Sequence, residues 1–207
     1  MFLMRPISNV LLAMKLVLKL LLSHLRKATL GRNISAVITS SANGLFAVDI
    51  ADTGVGRTLI QHSSYAQDEL ERILRLVHPA DDVLVVGAHI GALAIPISKH
   101  CHRLVAIEAN PATFDLLKIN LLLNNCANVT AINIAAGRTT EAIRFVLNTC
   151  NSGGSKLLPR TRAFKYFYDA PAIIPLQAHS LDEYLAGERF AIILMDIEGS
   201  EYHALQG

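Results

Sequence analysis

VLVVGAHIGALAIPISK occupies residues 83–99. Four apolar residues run into Gly87, Gly91 follows four places on, and a helix-like segment comes next. A continuous apolar run of this length, bounded by glycine, reads as a strand buried on both faces. A glycine turn at its carboxyl end lets the backbone approach a ligand, and the amides opening the next helix can meet an anion. The same pattern then repeats. RLVAIEA (103–109) is a second buried strand, followed by Asn110 as a helix cap and Pro111 in the first helical turn. In that helix Phe114, Leu117 and Leu121 share the inward face. VTAINIAA (129–136) reads as a third strand and FAIILMDIEG (190–199) as a fourth, with EYHALQG starting a helix. Strands alternating with helices predict an α/β fold: a Rossmann-like parallel sheet covered on both faces.

Around this core the signals are more local. ISAVITSSANGLFAVDI (34–50) predicts a β-hairpin turning at Asn43-Gly44. Ser64 with Gln67, and Ser180 with Glu183, have capping-box spacing. The helix after the first pair places Leu70, Ile73, Leu74 and Val77 on one face and stops at Pro79. IRFVL (143–147) predicts a side strand, and 148–162 a long, functional loop.

Composition bounds the rest. The 207 residues are 52% hydrophobic and 17% charged, ample for one globular domain with an appendage. Residues 1–33 hold Arg5, Lys15, Lys19, Arg26, Lys27 and Arg32 with no acid, giving +6. The remainder carries 13 basic and 17 acidic residues, net −4. A mildly acidic body argues against a nucleic-acid partner, because such a partner needs a basic face. Cys101, Cys126 and Cys150 share no metal spacing, and they read as free thiols of a reducing, cytoplasmic compartment. In the arm no charge-free stretch exceeds Pro6–Met14, too short to span a bilayer. Ser8, Lys15, Lys19 and Arg26 form one stripe against a wide apolar arc. Such a helix can lie in a membrane interface or pack on protein. The expected organisation is a basic amphipathic helix (1–33), a hairpin with linker (34–64) and a catalytic domain (65–207).

Ligands of open α/β sheets sit beyond the carboxyl ends of the strands. Four features meet there. The turn Gly87-Ala88-His89-Ile90-Gly91 is one, and Glu108, with Ala109 and Asn110 beside it, is another. An acid in that position can accept from both hydroxyls of a ribose. Asn133 can meet an adenine edge or serve a turn. Asp196 and Glu198, two residues apart, would share one side of an extended strand and could take a proton or bind a cation. A dinucleotide fingerprint beginning at Gly87 would need glycine at His89 and at Ala92, and no Gly-Lys-Ser/Thr follows for a P-loop. A glycine turn with a ribose-binding acid and no pyrophosphate cradle suits S-adenosylmethionine.

The order VLVVGAHIG, VAIEANPATFDLLKINLLLNN, NVTAINIAAG, NSGGS, LDEYL and LMDIEGSEYHALQG resembles the FkbM family of methyltransferases, from about Tyr65 to the last residue. The resemblance implies a class I methyltransferase fold, C-terminally truncated relative to that family. It implies transfer of a methyl group from S-adenosylmethionine to a hydroxyl of a sugar, glycan or natural-product-like small molecule. By position, Gly87, Ala88, His89 and Gly91 would line the methionine end, Glu108 would hold the ribose, Asn133 and Ala135 would lie near adenine, and Asp196 and Glu198 would face methyl group and acceptor. Two positions depart from the family pattern: Val85 replaces an aspartate and His89 an asparagine. Those departures leave a non-catalytic remnant or binding module of the same fold as a competing reading, and the amphipathic arm leaves a membrane-surface protein as another.

Overall fold

A computed structural model describes residues 5–31, 33–161 and 163–207, with side chains from Val10 onward. The expected roles of Arg5, Ser8 and Arg32 lie outside those residues. Helix α1 (Arg5–Leu30) leads into a hairpin of β1 (Ala36–Ser41) and β2 (Gly44–Asp49), then α2 (Val55–His62) and α3 (Gln67–Leu74). The central alternation follows: β3 (Asp82–Val86), α4 (Ala94–Ser98), β4 (Arg103–Ile107), α5 (Pro111–Leu123) and β5 (Val129–Ile132). Beyond it lie β6 (Ala135–Gly137), β7 (Glu141–Leu147), β8 (Lys156–Leu157), α6 (Phe164–Phe167), β9 (Ala172–Ser180), α7 (Leu181–Tyr184), β10 (Ile192–Met195) and α8 (Glu201–Ala204).

The sheet that carries the site is parallel, in the order β10-β3-β4-β5. Alternate side chains of β3 enter opposite cores. Val83 and Val85 join Phe46, Leu59, Ile95, Leu104 and Leu117 on one face, while Leu84 and Val86 join Val105, Ile107 and Ile134 on the other. The order reverses at β3, with β4 on one side and β10 on the other, and a crevice opens at such a switch point.

The hairpin is docked rather than appended. On α5, Asn120 and Asn124 stand one turn apart, and their amides satisfy the outer edge of β2. Asn120 Oδ1 accepts from Ala47 N at 2.6 Å and its Nδ2 donates to Ala47 O at 3.1 Å; Asn124 does the same for Leu45 at 3.0 and 2.7 Å. Four residues of helix rise about 6 Å and two of strand about 6.8 Å, so the two spacings match. Two side-chain amides thus stand in for a neighbouring strand on an otherwise open edge.

Several local expectations differ. The hairpin turns at Ala42-Asn43, with Ser41 opposite Gly44, because Asn43 is drawn inward and is only 1% exposed. Ser64 caps nothing: α3 begins after Ala66 with no side-chain cap, and Gln67 instead donates to Asn43 Oδ1 at 2.6 Å. In place of a linker, 55–62 form α2, whose opening amides are held by Asp52; Gly56 N lies 2.6 Å from Oδ2. The stretch 129–136 is two strands, since the chain leaves β5 at Asn133-Ile134 and enters a second sheet, β6-β9-β7-β8. The loop 148–162 contains a short 3-10 turn at Ser152–Gly154 and the strand β8. In β9, Pro175 is tolerated because only β7 pairs there; β6 reaches Ala178–Ser180. Asn110 caps α5 as expected, accepting from Ala112 N at 3.1 Å. Ser180 caps α7, accepting from Glu183 N at 3.3 Å.

Helix α1 turns a mixed face to the body, with Leu16, Lys19, Leu20, Ser23 and Arg26 inward and Lys15 exposed. Ser23 is buried and Arg26 Nη1 donates to Asp52 O at 3.1 Å, whereas Val10, Leu11, Met14, Val17, Leu18, Leu21 and Leu25 are exposed. No helix among the described residues is long and apolar enough to cross a membrane.

Candidate active site

A cavity of about 870 Å³ lies over the carboxyl ends of β3, β4 and β10. Its walls come from both faces of the sheet: Tyr65, Val85 and Leu93 from the side of the larger core, Val86, Ile134 and Met195 from the other.

Gly87 and Ala88 form its floor, each donating a backbone N–H to Ile107 O, at 2.9 and 2.8 Å. Gly87 has φ +87°, and a Cβ there would run into the backbone carbonyl of Asp196, so the turn and the end of β10 can meet only at glycine. His89 follows in the left-handed region at φ 52°. Its N–H donates to Glu108 Oε2 at 2.8 Å, and Asn110 N–H donates to Oε1 at 2.8 Å. Glu108 therefore points at the glycine bend and lines the cavity. Each of its oxygens has one protein donor and keeps a lone pair for a ligand hydroxyl. Burial pushes its carboxyl up, opposed by the N–H groups of Asn110 and His89.

His89 Nε2 meets Ser152 Oγ at 2.8 Å, fastening the 148–155 loop to the glycine turn. The imidazole is pushed toward its neutral form by burial, with Asp52 opposing. Among the described residues its Nδ1 is buried without a partner.

Asp196 and Glu198 both line the cavity, but not as two residues of one strand. β10 ends at Met195, and Glu198 sits in a turn at φ 56°, ion-paired to Lys156 at 2.9 Å. Glu201 shapes that turn by accepting from Ile197 N at 2.8 Å. Asp196 is exposed on the cavity wall. Partial desolvation raises its carboxyl first, and Glu198 and Glu201 raise it further.

Ala109 and Ala135 line the cavity as well. Three other expected residues are used elsewhere. Gly91, at φ +89°, faces protein: a Cβ there would lie 2.9 Å from Ile95 Cδ1 and Leu117 Cδ1. The Asn110 side chain caps α5 and donates to Ser155 Oγ at 3.3 Å. Asn133 Nδ2 donates to the carbonyls of Glu108 and Ala109 at 2.7 and 3.3 Å, supporting the acid rather than facing the cavity. Sequence reasoning missed Tyr65, Glu69, Thr58, Lys19 and Ile134 on the walls. For Ile134, its position after β5 was a usable signal. The others reach the cavity only through packing of α1, α2 and α3.

Compared with known families, residues 42–151 match the model of the TRM5/TYW2 methyltransferase domain, more than half of the chain. The chain belongs to the TRM5/TYW2 methyltransferase domain family. It has the α/β class I methyltransferase fold expected from the sequence, and the resemblance to FkbM is corrected to a different family of that class. The match begins at the hairpin turn, consistent with the docking of β2 on α5. Among solved structures the chain is similar to M. jannaschii TYW2 in complex with AdoMet: 27% identity over 48% of this chain and 43% of that one, TM-score 0.40. It is similar to the M. jannaschii tRNA m1G37 methyltransferase, at 28% identity over 50% and 31% of the two chains, TM-score 0.39. It is also similar to aTrm5 in its complex with tRNALeu, at 24% identity over 51% and 32%, TM-score 0.39. This TRM5/TYW2-family chain spans less than half the length of those proteins. No curated protein matches it. S-adenosylmethionine stands as the cofactor, and Glu108 over the glycine bend fits a ribose diol. The expectation of a small-molecule or glycan acceptor with no nucleic acid is corrected: similar proteins include a tRNA methyltransferase and one solved with tRNALeu.

Proposed function

We propose that the chain is an S-adenosylmethionine-dependent methyltransferase acting on an RNA nucleotide, of the tRNA kind its family's relatives suggest. The observation that carries the reading is one cavity holding Glu108 above the glycine bend and Asp196 across from it. Glu108 is the group suited to a ribose diol, with Gly87, Ala88, Ala109 and Ala135 as close backbone or small walls. When bound, the sulfonium supplies the methyl group, and the protein's task is alignment of the acceptor atom with it.

Asp196 is the base in this account. A hydroxyl oxygen and a protonated ring nitrogen both need a proton removed, and a raised carboxyl is better matched to that task than an ordinary one. Glu198, held by Lys156, orients the turn rather than accepting the proton. The raised carboxyl predicts that turnover falls on acidification at a pH above the ordinary aspartate range. For stability the sign is opposite: ionised Asp196 costs the fold, and that cost is relieved as pH falls through the folded-state pKa. The test is transfer of labelled methyl from S-adenosylmethionine into a pool of tRNA transcripts. Wild type should label RNA, while Asp196→Asn should bind cofactor and lose turnover. Full activity in Asp196→Asn refutes its role as base.

A further inference from the structure

The groups expected to hold adenosine account for only one end of the cavity. Glu108, Ala109, Ile134 and Ala135 lie beyond β4 and β5. Thr58 of α2, Tyr65, Glu69 of α3, Leu93 and Lys19 of α1 wall the cavity on the side of the larger core, and Asp196 lines the same cavity. Thus the cavity that holds the base has a further arm, lined from α1, α2 and α3, that the adenosine groups leave unused.

Tyr65 is fixed in that arm. Its N–H donates to Asn43 Oδ1 and its carbonyl accepts from Asn43 Nδ2, both at 2.9 Å. The same Nδ2 donates to Ala92 O at 3.0 Å, just past the glycine turn. One buried amide at the hairpin tip therefore sets the position of Tyr65 relative to the cofactor end. Tyr65 is partly buried against the larger core and also lines the cavity. Burial raises its phenol, and Asp196 and Glu69 add to the effect, in keeping with a hydroxyl that faces the base. Lys19 comes from the inward face of α1, held to the body through Arg26 and the carbonyl of Asp52.

An aromatic ring and a cation on the walls of one cavity suit an unstacked base and its phosphate: stacking tolerates any base, and an ammonium serves as a point charge for the backbone. We infer that the arm between α1, α2 and α3 receives the acceptor nucleotide, with its base stacked on Tyr65 and its phosphate against the Lys19 ammonium. This inference rests on the RNA-acceptor reading above. Asn43 is the positioning residue that holds the platform in register with the methyl donor.

The full chain is assayed with labelled S-adenosylmethionine and a pool of unmodified tRNA transcripts, and cofactor affinity is measured separately by calorimetry. Tyr65→Leu is expected to raise the KM for RNA about tenfold or more. Tyr65→Phe should restore most of that loss. Lys19→Gln should raise the same KM several-fold and lower the salt slope of RNA affinity by about one. Tyr65→Leu and Lys19→Gln should keep the wild-type affinity for S-adenosylmethionine and remain folded. An active wild type whose Tyr65→Leu and Lys19→Gln variants keep its KM and salt slope overturns the assignment and leaves the RNA reading intact. A wild type that binds S-adenosylmethionine and labels no transcript overturns the RNA reading itself, and this assignment with it.

Discussion

Replacing Asn120 by leucine tests whether side-chain amides substitute for a strand neighbour at the edge of β2. Asn120 is 0% exposed and makes three bonds, to Ala47 N, Ala47 O and Ile90 O, at 2.6, 3.1 and 2.9 Å. Leucine has similar size but no polar group. Three backbone groups would be left without partners in the core between hairpin, α5 and glycine turn. Each buried orphan costs about 1–3 kcal/mol, so the sum is about 3–9 kcal/mol, a large share of a stability of about 5–15 kcal/mol. With a urea slope of about 2 kcal/mol/M, the midpoint should fall by about 1.5 M or more. Asn124→Leu removes the equivalent pair of bonds to Leu45, but that site is half-buried. Water can replace those bonds, and the expected loss is about 1 kcal/mol. Equilibrium urea unfolding followed by circular dichroism checks both. A loss under about 1 kcal/mol at Asn120, or equal losses at the two positions, refutes the edge-pairing argument.

Two glycines separate backbone strain from crowding. Gly91→Ala adds a Cβ 2.9 Å from Ile95 and Leu117 at φ +89°, whereas Gly199→Ala at φ +95° meets nothing within 4 Å. Left-handed backbone alone costs about 1–2 kcal/mol and overpacking a further 1–3 kcal/mol. Gly91→Ala should therefore lower Tm clearly more than Gly199→Ala, and equal shifts would contradict the packing role of Gly91. The thiols should label in order of access. Cys126 is half-buried, while Cys101 and Cys150 are 9% and 2% exposed, and burial also pushes the Cys101 thiol up. A disulfide-exchange reagent should modify Cys126 first and the other two only on unfolding; three equal rates would count against the described core.

What could be read in advance was local. VLVVG, RLVAIEA and the Asn110-Pro111 start of α5 declare themselves through apolar runs and cap chemistry, and the structure places strand, strand and helix there. Glu108 was legible because its position follows from the end of a strand. The misreadings share a different cause. Asn43 looks like a turn residue, yet its amide serves Tyr65 and Ala92, 22 and 49 positions away. Asn120 and Asn124 look like polar interruptions of an apolar helix until β2 is seen beside them. VTAINIAA reads as one strand, and only the second sheet explains its break at Asn133. Tyr65 carries no spacing signal, and the helical spacing that put Lys19 on the polar stripe of α1 says nothing of a cavity, since three helices converge to bring both there. Asp196 and Glu198 seemed a pair by alternation, and the end of β10 at Met195 separates their roles.

The account depends most on the Glu108 carboxylate as the ribose anchor, and calorimetric titration of S-adenosylmethionine into wild type and Glu108→Ala tests it. Hydrogen bonds to a charged group contribute about 1.5–3 kcal/mol each, so losing two should weaken binding about 100-fold or more. Wild type that binds, with the variant weakened by that factor and still folded, is the predicted result. The same affinity in both proteins would contradict it.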